Sequence, residues 1–192
     1  MTTVVIGAGQ AGLAVSHELE ELGIEHIVLE RERVAQAWRK RWDGFTLVTP
    51  NWTLSLPGAE YDGDDPEGHV HRDEIVAFLE DYAGRQTGPI HEGIAVTALE
   101  PGTSTRFRLK TSDGDVEADT VVVCTGAFQR PHLPVMAEAF PPSVEVMAST
   151  SYRRPDDLPD GRVLGGSLLS CLGPGVASED ARGLRGARCA AT

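Results

Sequence analysis

A glycine-rich hexapeptide, Gly7-Ala8-Gly9-Gln10-Ala11-Gly12, constrains the fold of this chain more than any other feature. It follows an apolar run at residues 4–6 and precedes a segment whose apolar residues recur with helical spacing. G-x-G-x-x-G between a strand and a helix is typical of a βαβ unit that binds a dinucleotide. In that setting Gly7 permits a sharp turn, Gly9 lets a pyrophosphate approach the backbone, and Gly12 lets the helix pack closely on the strand. The helix N-terminus at Gln10 and Ala11 offers N–H groups and a partial positive charge to the phosphates.

An acidic residue stands where such a unit would bind a ribose. A second apolar run, residues 27–29, is followed by Glu30, 23 positions after Gly7. A carboxylate there accepts hydrogen bonds from both ribose hydroxyls of an adenosine and repels a 2′-phosphate, which favours FAD or NAD over NADP. A glycine turn of purely structural use is the alternative, and the combination of strand, helix and acid disfavours it.

The rest of the chain alternates short elements with loops, as an α/β protein does. Residues 43–70 are rich in Gly, Pro, Asp and Asn and are predicted to be loop. Apolar spacing predicts two further helices and three strands, at residues 34–42, 72–82, 94–99, 106–110 and 116–124. Ser112-Asp113-Gly114 supplies the hairpin turn between the last two strands. We therefore expect a parallel sheet accompanied by an antiparallel β-meander over residues 94–123.

Charge and cysteine content exclude several functions. The chain has 29 Asp and Glu against 17 Lys and Arg, a net charge of −12, so its surface repels nucleic acid. None of the 3 cysteines lies in a C-x-x-C, which argues against a disulfide framework or a dithiol centre and favours a cytoplasmic location. We see no signal-peptide pattern and no apolar stretch long enough to span a bilayer, so we expect no membrane association.

A second β-branched run ends in a short turn at residues 119–126, a pattern that any buried strand could show on its own. Together with the hexapeptide it makes the chain resemble the two-dinucleotide-binding-domain flavoproteins, and more closely the flavin-containing monooxygenases with their YUCCA-like members. The resemblance covers residues 1 to about 164. It rests on residues 7–12, 30–31, 37–39, 49–51, 57–58, 72–75, 79–83, 124–126 and 158–164.

The resemblance implies a Rossmann-like FAD-binding domain. In that family the hexapeptide binds the FAD pyrophosphate, the acid binds the adenosine ribose, and the positions of Ala37 and Trp38 line the flavin. Outside the hexapeptide, the cofactor-binding residues implied for this chain are Glu30, Arg31, Trp38, Val96 (through its backbone, to adenine), Thr125 and Gly126. Trp38 and Trp42, four residues apart, could equally pack in a core.

Asn51 is the one catalytic candidate that the resemblance supplies, because it matches an asparagine that steadies the flavin and the nicotinamide near the reactive edge. An Asx turn after Pro50 explains the same residue equally well. Cys124 stands where the family more often has alanine, and no reactivity is implied. His69 and His71 have a spacing that a metal could use, but the acids around them fit a solvated loop, and we expect no metal site.

The implied activity is that of an NADPH-dependent monooxygenase. NADPH would reduce the FAD, molecular oxygen would add to give a flavin hydroperoxide, and oxygen would pass to a small nucleophilic or carbonyl substrate. The alternatives are a nucleotide-binding module without turnover and a fragment of an NAD-dependent dehydrogenase. A dehydrogenase would need a substrate domain, and none is recognisable after residue 160.

The sequence departs from the family after residue 164. Family members continue into a second G-x-G-x-x-G that binds NADPH, whereas the nearest substitute here, residues 173–178, has proline where an N–H donor is needed. We therefore expect an FAD-binding domain over residues 1–160 and an irregular tail over residues 161–192. The tail is interpreted as the remnant of a longer monooxygenase, truncated before its NADPH-binding domain.

Overall fold

A four-stranded parallel sheet forms the centre of the protein. The computed structural model describes residues 2–127, 131, 133–159, 161–165 and 177–180. With strands numbered in chain order, the sheet runs β3-β2-β1-β7 and consists of β1 (Thr3–Ile6), β2 (His26–Leu29), β3 (Ile90–His91) and β7 (Thr120–Val123). Thr3 of β1 lies opposite His26 on one side and opposite Thr120 on the other. Val4 and Val5 have no exposed surface, as expected for a strand covered on both faces.

One helix connects β1 to β2 and completes the predicted βαβ unit. Helix α1 (Gln10–Glu21) buries Leu13 and Ser16 completely. The chain then turns back through Gly23, whose φ of +67° is a conformation that glycine adopts at little cost. After β2 comes a short helix, α2 (Gln36–Arg39), which lies inside the predicted helical segment 34–42. The α/β class and the crossover between parallel strands are confirmed.

A second, antiparallel sheet is inserted in the chain between β3 and β7. It contains β4 (Val96–Pro101), β5 (Phe107–Thr111) and β6 (Gly114–Ala118) in that order. Gly114 has φ of +98°, and the Asp113 N–H donates to the Thr111 hydroxyl oxygen at 3.0 Å. These are the local contacts that turn residues make, and the predicted β-meander is present.

The expectation of a single strand over residues 116–124 is wrong. β6 ends at Ala118, β7 begins at Thr120, and the two belong to different sheets. The break falls at Asp119 because the N–H groups of Asp119 and Thr120 both donate to Thr2 O, while Asp119 Oδ2 accepts the Thr2 N–H at 3.0 Å. A local residue pattern contains no sign of this pairing, because Thr2 and Asp119 are 117 residues apart.

The larger core lies beside helix α3 (Arg72–Gly84), which extends two residues beyond the predicted 72–82. The helix begins at a capping box, in which His71 Nδ1 accepts the Asp73 N–H and the Glu74 carboxylate accepts the His71 N–H. Its buried residues are Ile75, Val76, Leu79 and Tyr82. Burying each of the aliphatic side chains contributes roughly 1.5–3 kcal/mol, so packing rather than helix propensity holds α3 in place.

Residues 43–70 form the predicted loop, with a single 3₁₀ turn at Asn51–Thr53 and two isolated bridges. The loop is packed rather than solvated, because Phe45, Leu47, Leu54 and Val70 are buried in the larger core. The Tyr82 hydroxyl also donates to Pro57 O at 2.7 Å. The loop is therefore joined to α3 by both packing and hydrogen bonding.

The expectation of an irregular tail is wrong for two short segments. β8 (Arg162–Gly165) and β9 (Ala177–Asp180) pair in antiparallel fashion, and 3₁₀ turns precede them at Val135–Ala139 and Pro155–Asp157. The remaining tail residues, with most of the segment 173–178, lie outside the described residues. Within the described part of the chain, no helix has the length and apolar character needed to cross a membrane.

Candidate functional site

The glycine turn, as residues 7–12 are called below, gives its three glycines three different surroundings. Gly7 has φ of +105°, and a Cβ there would lie 2.6 Å from Cys124 O. A Cβ on Gly12 would overlap Gly7 O, so α1 can lie this close to the turn only with glycine at position 12. A Cβ on Gly9 would meet nothing within 4 Å. The turn is closed by packing at Gly7 and Gly12 and open at Gly9.

The open side coincides with the N-terminus of α1. Gly9 is the N-cap with φ of −87°, and no side chain caps the helix. The first turn has no acidic residue, and the predicted cofactor residues Gln10 and Ala11 are exposed there. A helix start of this kind presents backbone N–H groups and a partial positive charge to whatever approaches it. The arrangement suits an anionic group.

Glu30 is tied to the glycine turn. Its Oε2 accepts the Ala8 N–H at 2.8 Å, and its Oε1 accepts the Glu32 N–H at 2.8 Å. Since each carboxylate oxygen has two acceptor positions, both oxygens can still accept a further donor. The structure thus brings the predicted ribose acid and the glycine turn together at the carboxyl ends of β1 and β2. This is the edge at which open parallel sheets bind ligands.

The connection between β2 and α2, residues 31–35, is held by residues that sequence analysis missed. The Val34 N–H donates to Glu92 Oε1 at 2.7 Å, and the Ala35 N–H donates to Ala8 O at 3.3 Å. Ala35 has φ of +60° and is 1% exposed. Such a backbone conformation is uncommon for alanine and persists only where its surroundings impose it. No sequence signal could have found the first contact, because Val34 and Glu92 are 58 residues apart.

Charged side chains cover the outside of this connection. Lys40 hydrogen-bonds to the Glu32 carboxylate, and Arg31 Nη2 lies 3.4 Å from it. The hydrogen bond from Lys40 lowers the pKa of Glu32. Ion pairs this exposed contribute little to the free energy of unfolding. Arg31 is placed next to Glu30 in the chain and stays a predicted cofactor residue.

Trp38, the predicted flavin wall, belongs to an aromatic cluster. Its ring centroid lies 5.7 Å from that of Phe45, which Trp42 also contacts edge-on at 4.9 Å. The Arg41 guanidinium lies over the Trp38 ring at 5.8 Å from its centroid. Trp38 is half-buried, so it packs against the core and keeps part of its surface open to a ligand.

Asn51 is 3% exposed and joins the 3₁₀ turn at Asn51–Thr53 to the last residues of the loop 43–70. Its Oδ1 accepts the Val70 N–H at 2.6 Å, and its Nδ2 donates to Asp65 O at 2.8 Å. The side chain thus bridges distant backbone groups rather than forming an Asx turn. Among the described residues it makes no hydrogen bond to the glycine turn. Its contact with a flavin stays a prediction.

The segment after β7 packs against the glycine turn. The Cys124 N–H donates to Ile6 O at 2.8 Å, and burial raises the pKa of the Cys124 thiol, which opposes formation of a thiolate. The predicted cofactor residues Thr125 and Gly126 follow, both exposed, and Gly126 has φ of +76°. Val96, predicted to meet adenine, begins β4 and packs against the smaller core of Val4, Leu29, Leu109 and Ala118.

Two other features lie apart from this site. His69 Nδ1 lies 3.1 Å from Thr49 O, and His71 caps α3. In the part of the chain that the structure describes, no three His, Cys, Asp or Glu side chains form a group suited to a metal ion.

A shallow pocket of about 410 Å³ lies at the amino edge of the parallel sheet, opposite the glycine turn. Its lining residues are Glu20, Gly23, Ile24, Glu25, His26, Thr87, Gly88 and Pro89.

Comparisons with known proteins agree with this geometry. The pyridine nucleotide-disulphide oxidoreductase family matches residues 4–165. An uncharacterized CzcO-like oxidoreductase of Geobacillus kaustophilus is 40% identical over 162 residues, which are 84% of this chain and 46% of that protein. A probable indole-3-pyruvate monooxygenase of Arabidopsis thaliana, YUCCA8, is 30% identical over 90% of this chain and 42% of its own length.

A solved structure shows the same likeness. A mutant flavin monooxygenase from Stenotrophomonas maltophilia superposes with a TM-score of 0.72 at 26% identity, covering 81% of this chain and 47% of that one. The chain thus spans less than half the length of the relatives that it matches. The chain belongs to the pyridine nucleotide-disulphide oxidoreductase family, in which it corresponds to the N-terminal part of the flavin-containing monooxygenases.

Proposed function

We propose that this chain binds FAD at the glycine turn and forms the FAD-binding part of an NADPH-dependent flavin monooxygenase. The observation that carries the proposal is the open space at Gly9, next to an uncapped helix N-terminus and beside the anchored carboxylate of Glu30. A pyrophosphate needs backbone N–H donors with no Cβ in the way, and a ribose needs an acceptor nearby. Both requirements are met on one edge of the sheet.

The residues present fit FAD in three places. The first turn of α1 would donate N–H groups to the pyrophosphate, and Glu30 would accept hydrogen bonds from the adenosine ribose. Trp38 would cover part of the flavin with its exposed surface. Bound FAD would supply the redox chemistry, and this chain's residues would hold and orient it.

The other partners follow from the family. The reductant would be NADPH, the oxidant molecular oxygen, and the substrate a small nucleophilic or carbonyl compound. We propose a cytoplasmic location, for which the absence of a C-x-x-C pair is the support in the sequence. Asn51 would act near the reactive edge only if the loop 43–70 presents it there, and its two hydrogen bonds would then fix its position.

A nucleotide-binding module without turnover is the second candidate. Within the described ranges, the glycine turn is the one place where a glycine-rich segment joins a strand to a helix. Reduction by NADPH needs a second phosphate-binding turn of that kind in this family. The two functions share the FAD site and differ in whether NADPH reduces the flavin.

The test is FAD binding by the wild type and by Gly9→Ala. The wild-type chain should give a flavin absorbance spectrum after reconstitution, with FAD fluorescence changing on titration. Gly9→Ala should weaken FAD binding by tenfold or more, because the new methyl group would occupy the space that the pyrophosphate needs. It should fold normally, because Gly9 has a negative φ and its Cβ would meet nothing within 4 Å.

Circular dichroism and the thermal midpoint serve as the folding control for this variant. Unchanged FAD affinity in a folded Gly9→Ala would contradict a pyrophosphate at the glycine turn. A wild-type chain that takes up no FAD would contradict the proposed function as a whole.

A further inference from the structure

We propose that Glu92 is a positioning residue of the cofactor site. Its carboxylate holds the connection between β2 and α2 (residues 31–35) in one shape, so that Glu30 just before the connection and Trp38 in α2 just after it act on the same FAD molecule. The inference rests on the proposed FAD binding and adds a residue that neither the glycine pattern nor the family resemblance indicates.

Backbone hydrogen bonds to the turn after β3 fix the first part of the connection. Glu30 makes two backbone hydrogen bonds with the end of β3 and the turn after it. Its N–H donates to His91 O at 2.9 Å, and its carbonyl accepts the Ile94 N–H at 2.8 Å. The Gly93 N–H donates to Glu32 O at 3.1 Å. These bonds align the connection as far as Glu32 and leave the part nearest α2 to other contacts.

Glu92 reaches that remaining part. Its Oε1 accepts the Val34 N–H at 2.7 Å, while Val34 itself is 8% exposed. A backbone N–H that is shielded from water needs a partner, because losing it costs the desolvation energy of the donor. The Glu92 carboxylate is a strong partner because it is charged and the hydrogen bond is short.

The next residue explains why the connection needs this support. Ala35 follows Val34 and has φ of +60°, a strained conformation for alanine. It is held between the Val34–Glu92 hydrogen bond and its own hydrogen bond to Ala8 O in the glycine turn. Removing Glu92 releases one of these two restraints, and α2 with Trp38 can then shift relative to Glu30.

A positioning role and a merely structural role of Glu92 differ in which ligand binds more weakly when Glu92 is replaced. ADP carries the adenosine and the pyrophosphate, so it needs Glu30 and the glycine turn and not Trp38. FAD spans both ends of the connection, so its affinity also depends on how Glu30 and Trp38 are placed relative to each other. Loss of Glu92 should therefore weaken FAD binding more than ADP binding.

The experiment measures FAD and ADP dissociation constants for the whole chain as wild type, Glu92→Ala, Glu92→Gln and Glu25→Ala. Glu92→Ala should raise the FAD constant about tenfold, the scale of one lost hydrogen bond to a charged group, and the ADP constant less than twofold. Glu92→Gln keeps an acceptor oxygen at the same place, so it should bind FAD within about threefold of wild type. Glu25→Ala removes one exposed carboxylate at the opposite edge of the sheet and should change neither constant.

Each result decides the proposal. A Glu92→Ala variant with wild-type FAD affinity, or one whose FAD and ADP affinities fall by the same factor together with its thermal midpoint, overturns the positioning role and leaves FAD binding intact. Glu92→Gln as weak as Glu92→Ala overturns the role of the acceptor atom. A wild-type chain that binds neither ligand overturns the proposed function itself, and with it this inference.

Discussion

The absence of a side chain at Gly12 decides how closely α1 approaches Gly7. The space between Gly12 and Gly7 O would be filled by any Cβ, whereas the space at Gly9 is empty. The two glycines of this turn therefore differ in whether the fold tolerates a side chain: Gly9 has room for one and Gly12 has not. A side chain at position 12 would disturb the packing of α1, whereas one at position 9 would disturb only the proposed binding of FAD.

Gly12→Ala should destabilise the chain by about 1–3 kcal/mol, the usual cost of overpacking a close contact. For a protein of this length each kcal/mol lowers the thermal midpoint by roughly 2–4 °C. Differential scanning calorimetry of Gly12→Ala beside Gly9→Ala checks this, since the second variant should melt like the wild type. Equal midpoints for all three proteins would show that the helix moves away from the turn at no cost.

Residues differ in how visible their roles are in the sequence. Gly7, Gly9, Gly12 and Glu30 could be singled out because a local motif fixes their spacing. Ala35, which has a left-handed backbone conformation, and Glu92, which accepts the N–H of the neighbouring Val34, could not be singled out. Their roles arise from a contact between segments 58 residues apart. Asn51 was found through the resemblance alone, and its two hydrogen bonds across the loop were not foreseeable.

Among the elements, one carboxylate of the β-meander joins β6 to the turn between β4 and β5. Glu117 of β6 accepts hydrogen bonds from the Thr105 and Thr103 hydroxyls in the β4–β5 turn and from Arg108 Nε at 3.2 Å. These donors, the Thr105 hydroxyl foremost, lower the pKa of Glu117 to about 2. The charged form of Glu117 is therefore the one that holds the turn against the sheet.

The pH dependence of stability follows from that shift. Because the pKa of Glu117 is lower in the folded chain than its ordinary value of 4.5, its contribution is fully present above pH 4.5 and is lost as the pH falls towards about 2. Urea unfolding of wild type and Glu117→Gln should give midpoints that differ at pH 6, with a difference that shrinks below pH 4.5 and vanishes only as the pH falls to about 2. Glu25→Gln is the control, and a Glu117→Gln difference that is as large at about pH 2 as at pH 6 would contradict the assignment.

The strands show which features of the fold a local residue pattern can predict and which it cannot. Turn residues and alternation place β4, β5 and the start of β6 to within two residues, since each property is local. They cannot show that the run after residue 116 changes sheets, because Asp119 turns the chain by pairing with Thr2. The two-residue β3 has too few residues to give any periodicity.

At the scale of the whole molecule, the described residues contain one edge at which we propose that a nucleotide binds. The family and the fold class could be predicted because the glycine turn, the crossover helix and the returning strand all lie within the matched residues 4–165. The β8–β9 pair could not be predicted, since its two strands show no clear alternation. Holding a nicotinamide against a flavin lowers the reaction barrier by ~7–11 kcal/mol. It requires two binding edges, one for each nucleotide.

We expect the FAD-loaded chain to be reduced by NADPH slowly and without saturation. The measurement is anaerobic stopped-flow bleaching of the flavin over a range of NADPH concentrations, with dithionite as the control that the bound flavin can be reduced. A rate that rises linearly with NADPH fits a chance encounter between the two cofactors. Fast bleaching that saturates would show a nicotinamide site in this chain and would favour the full monooxygenase activity over a binding module.

The position of β1 between β2 and β7 has a consequence for how the chain is made. Thr3 pairs with Thr120, so β1 acquires this neighbour only after 117 more residues have been added to the growing chain. At ~5–20 residues per second this delay is roughly 6–23 s. Throughout that interval one edge of β1, in which Val4, Val5 and Ile6 follow Thr3, has no partner strand. We therefore expect slow translation before residue 120 to increase aggregation of the nascent chain, because this edge stays unpaired until Val123 emerges.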